Sequence, residues 1–161
     1  MDHQLSGRNM RIEAAKWIKH DEGLSLKPYL CTSGFHTIGY GHNLDYHPIG
    51  IPLELLQKYG ISEEGAIVLL NEDMECCISK LDNIRVFNTL SLPRKVVLIN
   101  MCYNLGFPRL TMFKKMFQAL NSGSYVMASY EMLDSKWADQ VPKRAKRLAD
   151  TMLTNVLPDL R

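Results

Sequence analysis

The chain has 161 residues, 46% of them hydrophobic, enough for one compact domain with a real core that a cleft can divide into two lobes. A formal net charge of +2 is too small to argue for a nucleic-acid partner. The four cysteines, Cys31, Cys76, Cys77 and Cys102, make no metal-like pattern, and no histidine stands at ligand spacing from the adjacent pair, so no metal site is expected.

The first twenty residues carry Asp2, Arg8, Arg11, Glu13, Lys16 and Lys19 and hold no apolar stretch of the secretory type, so no signal peptide is expected. Residues 9–20 read as a helix, with Met10, Ala14, Trp17 and Ile18 on one face and Gly23 as its C-cap. Glu22 then lies in the last turn, where a negative charge opposes the helix dipole. A residue set against its local preference is a candidate for function. From Lys27 to Leu44 the pattern changes. Pro28, Gly34, Gly39 and Gly41 break any helix, while Tyr29, Phe35, Thr37, Ile38 and Tyr40 favour strands, and Thr32-Ser33-Gly34 signals a turn between two short strands. A small β-hairpin or meander, isolated in an otherwise helical chain, is the expectation.

Beyond Pro52 helical signals return. Ser62 caps a helix with Glu63 and Glu64 in its first turn, running to about Leu81 with Ile67, Leu70, Met74, Ile78 and Leu81 at helical spacing. Pro93 opens another, apolar almost all round from Val96 to Cys102, which should be the central buried helix, ended by Gly106 and Pro108. Shorter helices are expected near 110–120, 125–134 and 142–154, separated by Asn121-Ser122-Gly123 and by a turn from Trp137 to Pro142. Cys76 and Cys102 fall in apolar periodic segments and read as small core residues. Lys143, Arg144, Lys146 and Arg147 cluster without an intervening acid; they read as a solvated helix face or, functionally, as an attraction for an anionic polymer. The longest apolar runs, Ala66 to Leu70 and Val96 to Ile99, are too short to span a bilayer. The fold class is α+β: one domain over residues 1–161, with an N-lobe at about 13–61, a connecting helix at about 62–81 and a helical C-lobe at about 82–161 beside the N-terminal helix.

Glu22, Cys31 nine residues on and Thr37 six beyond that combine a carboxylic acid, a second ionisable group and a hydroxyl at short separations. Those are the parts for cleaving a glycosidic bond, which needs an acid to protonate the leaving oxygen and a group opposite it to meet the oxocarbenium-like centre, directly or through water. Desolvation at the helix end would keep Glu22 protonated near neutral pH. Cys31 serves as base, nucleophile or water holder, or only as a small hydrophobe, and an ordinary thiol of pKa about 8.5 is a few per cent thiolate at pH 7. Thr37 would hydrogen-bond a water, or is simply a β-branched strand residue. His42 is expected to be structural, ion-paired with an acid such as Asp73.

Glu22-Gly23-Leu24, Tyr29, the Cys31 position and Thr37-Ile38-Gly39-Tyr40-Gly41-His42 together resemble the phage lysozymes typified by the T4 enzyme, the glycoside hydrolases of family 24. Asn100-Met101, Asn104-Leu105-Gly106, Ser135-Lys136-Trp137 and the stretch from Gln140 to Arg147 are similar to that family's central helix and C-terminal signature, so the likeness spans almost the whole chain. The resemblance implies a lysozyme-like fold and hydrolysis of the β-1,4 bond between N-acetylmuramic acid and N-acetylglucosamine in bacterial peptidoglycan, with no cofactor. It carries over Glu22 as proton donor, Cys31 in a slot usually held by aspartate, Thr37 as third member, and Asn43, Tyr103, Phe113 and Glu131 as substrate contacts. It further implies a monomer without stable membrane insertion, accumulating in the host cytoplasm and reaching the periplasm and wall through a separate holin. The rival readings are a lytic transglycosylase on the same bond, a thiol peptidase built on Cys31 with His36 or His42, and a catalytically silent wall-binding module.

Overall fold

A computed structural model describes residues 2–160. Helix α1 (Asp2–Glu22) leads into a three-stranded antiparallel sheet of order β1 (Ser25–Leu30), β2 (His36–Gly39) and β3 (His42–Asn43). The sheet is thus a meander, and the remainder is helical: α2 (Leu53–Tyr59), α3 (Glu63–Leu81), α4 (Arg85–Thr89), α5 (Leu92–Leu105), α6 (Phe107–Leu110), α7 (Lys114–Asn121), α8 (Tyr125–Leu133), α9 (Lys136–Gln140) and α10 (Pro142–Thr154). The α+β class holds. Among the described residues, no helix is long and apolar enough to cross a membrane.

The chain divides into two compact units, residues 15–76 and residues 1–14 with 77–161. Helices α1 and α3 each contribute to both. In the sheet unit, Ile38, Leu56 and Leu69 form a core cluster closed by Leu44, Ile49 and Ile61. Gly39 ends β2 at a φ of 66°, in the left-handed region that favours glycine, with its Cα face beside Ala66 of α3. The β1–β2 register is irregular between Ser25 and Tyr29, the stretch holding Pro28, which has no N–H to give the ladder. In the helical unit α5 is the buried centre, with Val96 to Cys102 inaccessible. Leu110, Met116, Met132, Leu148 and Met152 belong to the same core.

Several expectations need correction. Helix α1 begins at Asp2, well before residue 9. The supposed turn at Trp137 is helix α9, capped by Ser135, whose Oγ accepts from Ala138 N at 3.1 Å, with Trp137 buried. Cys102 is a core residue, but Cys76 is exposed, because the buried stripe of α3 passes through Met74 and Ile78 and leaves it outside. The basic cluster is not one solvated face. Arg144 is buried, its Nε donating to Asn100 Oδ1 at 2.8 Å, while exposed Lys146 pairs with Asp150 at 2.8 Å.

Candidate active site

Glu22 closes α1, half-buried, with Gly23 behind it at φ 67° donating its N–H to Lys19 O at 3.1 Å. This is the αL termination that only glycine makes without penalty, and it turns the chain straight into β1. The Glu22 carboxyl rests against Gly41, the link between β2 and β3: a Cβ there would stand 3.1 Å from Oε2. Gly41 therefore clears the space that the carboxyl occupies, at a φ of 82°.

Cys31 follows β1 directly, and its backbone is fixed by two hydrogen bonds, Cys31 N to Phe35 O at 3.0 Å and Gly34 N to Cys31 O at 2.8 Å. The tight turn that results aims successive backbone N–H groups at the half-buried thiol. The Phe35 N–H acts most strongly to hold the Cys31 pKa below its ordinary value; partial desolvation opposes it, and Ser33, the Thr37 hydroxyl and Gly34 add to the lowering. Converging backbone N–H groups of this kind form an anion-binding concavity. It suits a thiolate as it would suit a carboxylate.

Thr37 sits on β2 opposite Tyr29 of β1, buried, with Oγ1 donating to Phe35 O at 3.0 Å. A hydroxyl has one proton and two lone pairs. While Thr37 gives that proton to Phe35 O, its lone pairs can accept from a water or a neutral thiol; once the thiol ionises, the proton can turn toward sulfur. Tyr29 was not singled out as a site residue in its own right. Its phenol pKa is raised by desolvation first, then by the charges of Glu22 and of Cys31, so the ring lies within electrostatic reach of both. The cue in the sequence is strand alternation, which puts residues 29 and 31 on one face.

His42 on β3 is structural, as expected, with Nδ1 against Asp73 Oδ2 at 2.8 Å and Nε2 against His47 O at 2.8 Å. Next to it, Asn43 spends its side-chain oxygen on the following turn, accepting from Asp45 N and Tyr46 N at 3.0 Å each. The structure thus gathers Glu22, Cys31, Thr37 and Asn43 in the sheet unit. Tyr103 on α5, Phe113 before α7 and Glu131 on α8, all half-buried, belong to the helical unit. There the Phe113 ring meets Trp137 edge-on, centroids 6.2 Å apart, and Trp137 Nε1 donates to Asn104 Oδ1 at 2.7 Å.

The family model described as phage lysozyme matches residues 19–150. "Probable T4-type lysozyme 2" of Dictyostelium discoideum is 29% identical over 89% of this chain and 95% of its own length. An "Endolysin" of Acyrthosiphon pisum secondary endosymbiont phage 1 is 32% identical over 75% of this chain and 74% of its own. The "Pre-baseplate central spike protein Gp5" of Enterobacteria phage T4 is 29% identical over 92% of this chain, which spans 29% of that protein.

Proposed function

The chain belongs to the phage lysozyme family, and on that premise we propose that it is an endolysin-type muramidase that hydrolyses the β-1,4 bond between N-acetylmuramic acid and N-acetylglucosamine. Glu22 is the general acid, because an expelled sugar alkoxide must be protonated as it leaves. Cys31, partly ionised, draws a proton from water, and the Thr37 hydroxyl holds that water for attack on the anomeric carbon from the face opposite the leaving group. Attack by water from that face inverts the anomeric centre. Asn43, Tyr103, Phe113 and Glu131 contact the glycan and its peptides. No cofactor takes part. The protein works as a monomer, leaves the host cytoplasm through a separate holin, and meets its substrate at the wall.

One observation carries this reading: the backbone N–H groups of Phe35, Ser33 and Gly34 and the Thr37 hydroxyl converge on the Cys31 thiol and favour its anion. A transglycosylase needs no second ionised group, and a silent binding module needs no ionised group at all.

The test is a turbidity assay on permeabilised cells, with mass spectrometry of the products. Hydrolysis gives muropeptides with new reducing ends, heavier by one water than the anhydro sugars of a transglycosylase. Cleaved stem peptides would instead mean a peptidase. Loss of activity in Cys31→Asp with full activity in Cys31→Ala would overturn the role given to Cys31, and β-anomeric products would replace inversion by a covalent thioglycosyl route.

A further inference from the structure

Beside the Cys31 turn stand two rings that the proposed reaction does not use. Phe35, whose backbone N–H holds the thiol, packs its half-buried ring against Tyr46 with centroids 5.0 Å apart and planes tilted by 54°. Tyr46 is 67% exposed. An exposed tyrosine packed on a second ring is common as a minor packing contact, but here the loop does not depend on that contact. Asp45 Oδ2 accepts from His36 N at 2.7 Å and Oδ1 meets His36 Nδ1 at 3.0 Å. Leu44 N donates to His36 O at 2.8 Å, Asn43 Oδ1 holds Asp45 N and Tyr46 N, and His47 N returns to Asn43 O at 3.0 Å. A segment tied at so many polar points has no need of a ring that buries little of its own surface. What those ties do is hold the ring at a fixed place.

We propose that Tyr46, backed by Phe35, is a stacking platform for one further N-acetylhexosamine ring of the glycan strand, beyond the two sugars whose bond is cut. The inference rests on the reading of the chain as a muramidase. Its occupant follows from continuity and chemistry. The platform shares residue 35 with the thiol turn, so a strand lying over Cys31 runs past it. A pyranose offers a face of C–H groups that packs on an aromatic ring. The negative charge of Asp45, whose pKa is lowered chiefly by the His36 backbone N–H and then by its ring, favours a neutral sugar over a carboxylate-bearing one. Because the loop is already ordered, binding costs little further entropy.

The test uses the Glu22→Gln protein, which binds without cutting, and purified glycan strands stripped of peptide. Adding Tyr46→Ala should weaken binding about tenfold, the amount that one stacked ring supplies. Tyr46→Phe and Tyr46→Trp should bind as well as the parent or better. Without the Glu22 change, Tyr46→Ala should raise KM on sacculi and leave kcat within about twofold. Equal binding by Tyr46→Ala overturns the platform, as does Tyr46→Phe binding as weakly as Tyr46→Ala, or no binding by the parent. The two readings fail separately. A native protein that makes no new reducing ends ends the muramidase reading, while ring-dependent binding by the Glu22→Gln protein keeps the platform.

Discussion

His42 Nδ1 lies 2.8 Å from Asp73 Oδ2, a pair that joins the last strand of the sheet to helix α3. Burial works against a charge on this imidazole, but the hydrogen bond and charge of Asp73, then His47 O and Glu72, outweigh it, and the His42 pKa is raised. Folding therefore favours the protonated ring. The stabilisation is complete below the unfolded histidine value of about 6.5 and fades as the pH rises through the folded pKa. Asp73→Asn should lower stability by about 1–3 kcal/mol at pH 5.5, as expected for a charge-assisted bond, and by less at pH 9. Thermal melts of both proteins across that range check the slope, and NMR titration of His42 checks its origin. A difference in melting temperature that stays constant with pH would show that the pair acts as a neutral hydrogen bond.

Cys31 is held in the opposite sense. Its pKa is lowered, so thiolate forms at lower pH than in an ordinary cysteine of about 8.5. The rate of alkylation by iodoacetamide should rise with a midpoint below that value, and alkylation should abolish lysis. Thr37→Val removes one donor at nearly constant volume and should move the midpoint up. Cys31→Ala should cost about 10²–10⁴-fold in kcat, the usual contribution of a positioned base. Cys31→Asp should retain activity, since the same N–H groups accept a carboxylate. Alkylation at the rate of free cysteine would remove the premise.

Gly41 tests the placement of the acid. An alanine there would hold its Cβ 3.1 Å from Glu22 Oε2, at a φ of 82° that L-residues disfavour. The strain should cost about 1–2 kcal/mol. A second effect should fall on kcat: the carboxyl must give by a few tenths of an ångström, a fraction of the roughly 1 Å misplacement that costs on the order of 10²-fold, so kcat should fall by about severalfold. Lytic rate measured well below the melting temperature separates the two, and an unchanged kcat would mean that Glu22 has room to spare.

How much of this was legible from the chain depends on how local it is. Glu22, Cys31 and Thr37 lie within sixteen consecutive residues, and the helix end and turn that carry them have strong glycine punctuation, so their grouping could be read directly. The partner of His42 was also readable, because Asp73 lies in the part of the best-marked helix that belongs to the sheet unit. What could not be read is chemistry carried by the backbone. The N–H groups of Ser33, Gly34 and Phe35 that hold the thiol have no side-chain signature. Helices α4 and α9 have five residues each, too few to show a period. In α9 the order comes from the burial of Trp137 and its bond to Asn104, a contact 33 residues away. Cys76 reads as a core position because Met74, Cys77 and Ile78 crowd around it, and only packing decides which of two adjacent stripes of α3 turns inward.

Arg144 shows the same limit and yields the sharpest stability test. Its charge marks it as a surface residue, yet it lies buried with Nε bonded to Asn100 Oδ1 at 2.8 Å, tying α10 to the buried centre of α5. Asn100 is itself wholly inaccessible, so its amide must be satisfied inside the protein. Asn100→Ala removes that acceptor and leaves a small void, and should destabilise by about 2–4 kcal/mol. Arg144→Met keeps most of the side-chain volume and removes the charge; alone it removes the bond that Arg144 Nε gives Asn100 Oδ1. In the double variant Asn100→Ala with Arg144→Met both polar partners are replaced by apolar groups, and the loss should be smaller than the sum of the single losses. Chemical denaturation of the four proteins measures the coupling. Strict additivity would mean that the two side chains are held by separate neighbours and that the bond between them contributes nothing to joining the helices.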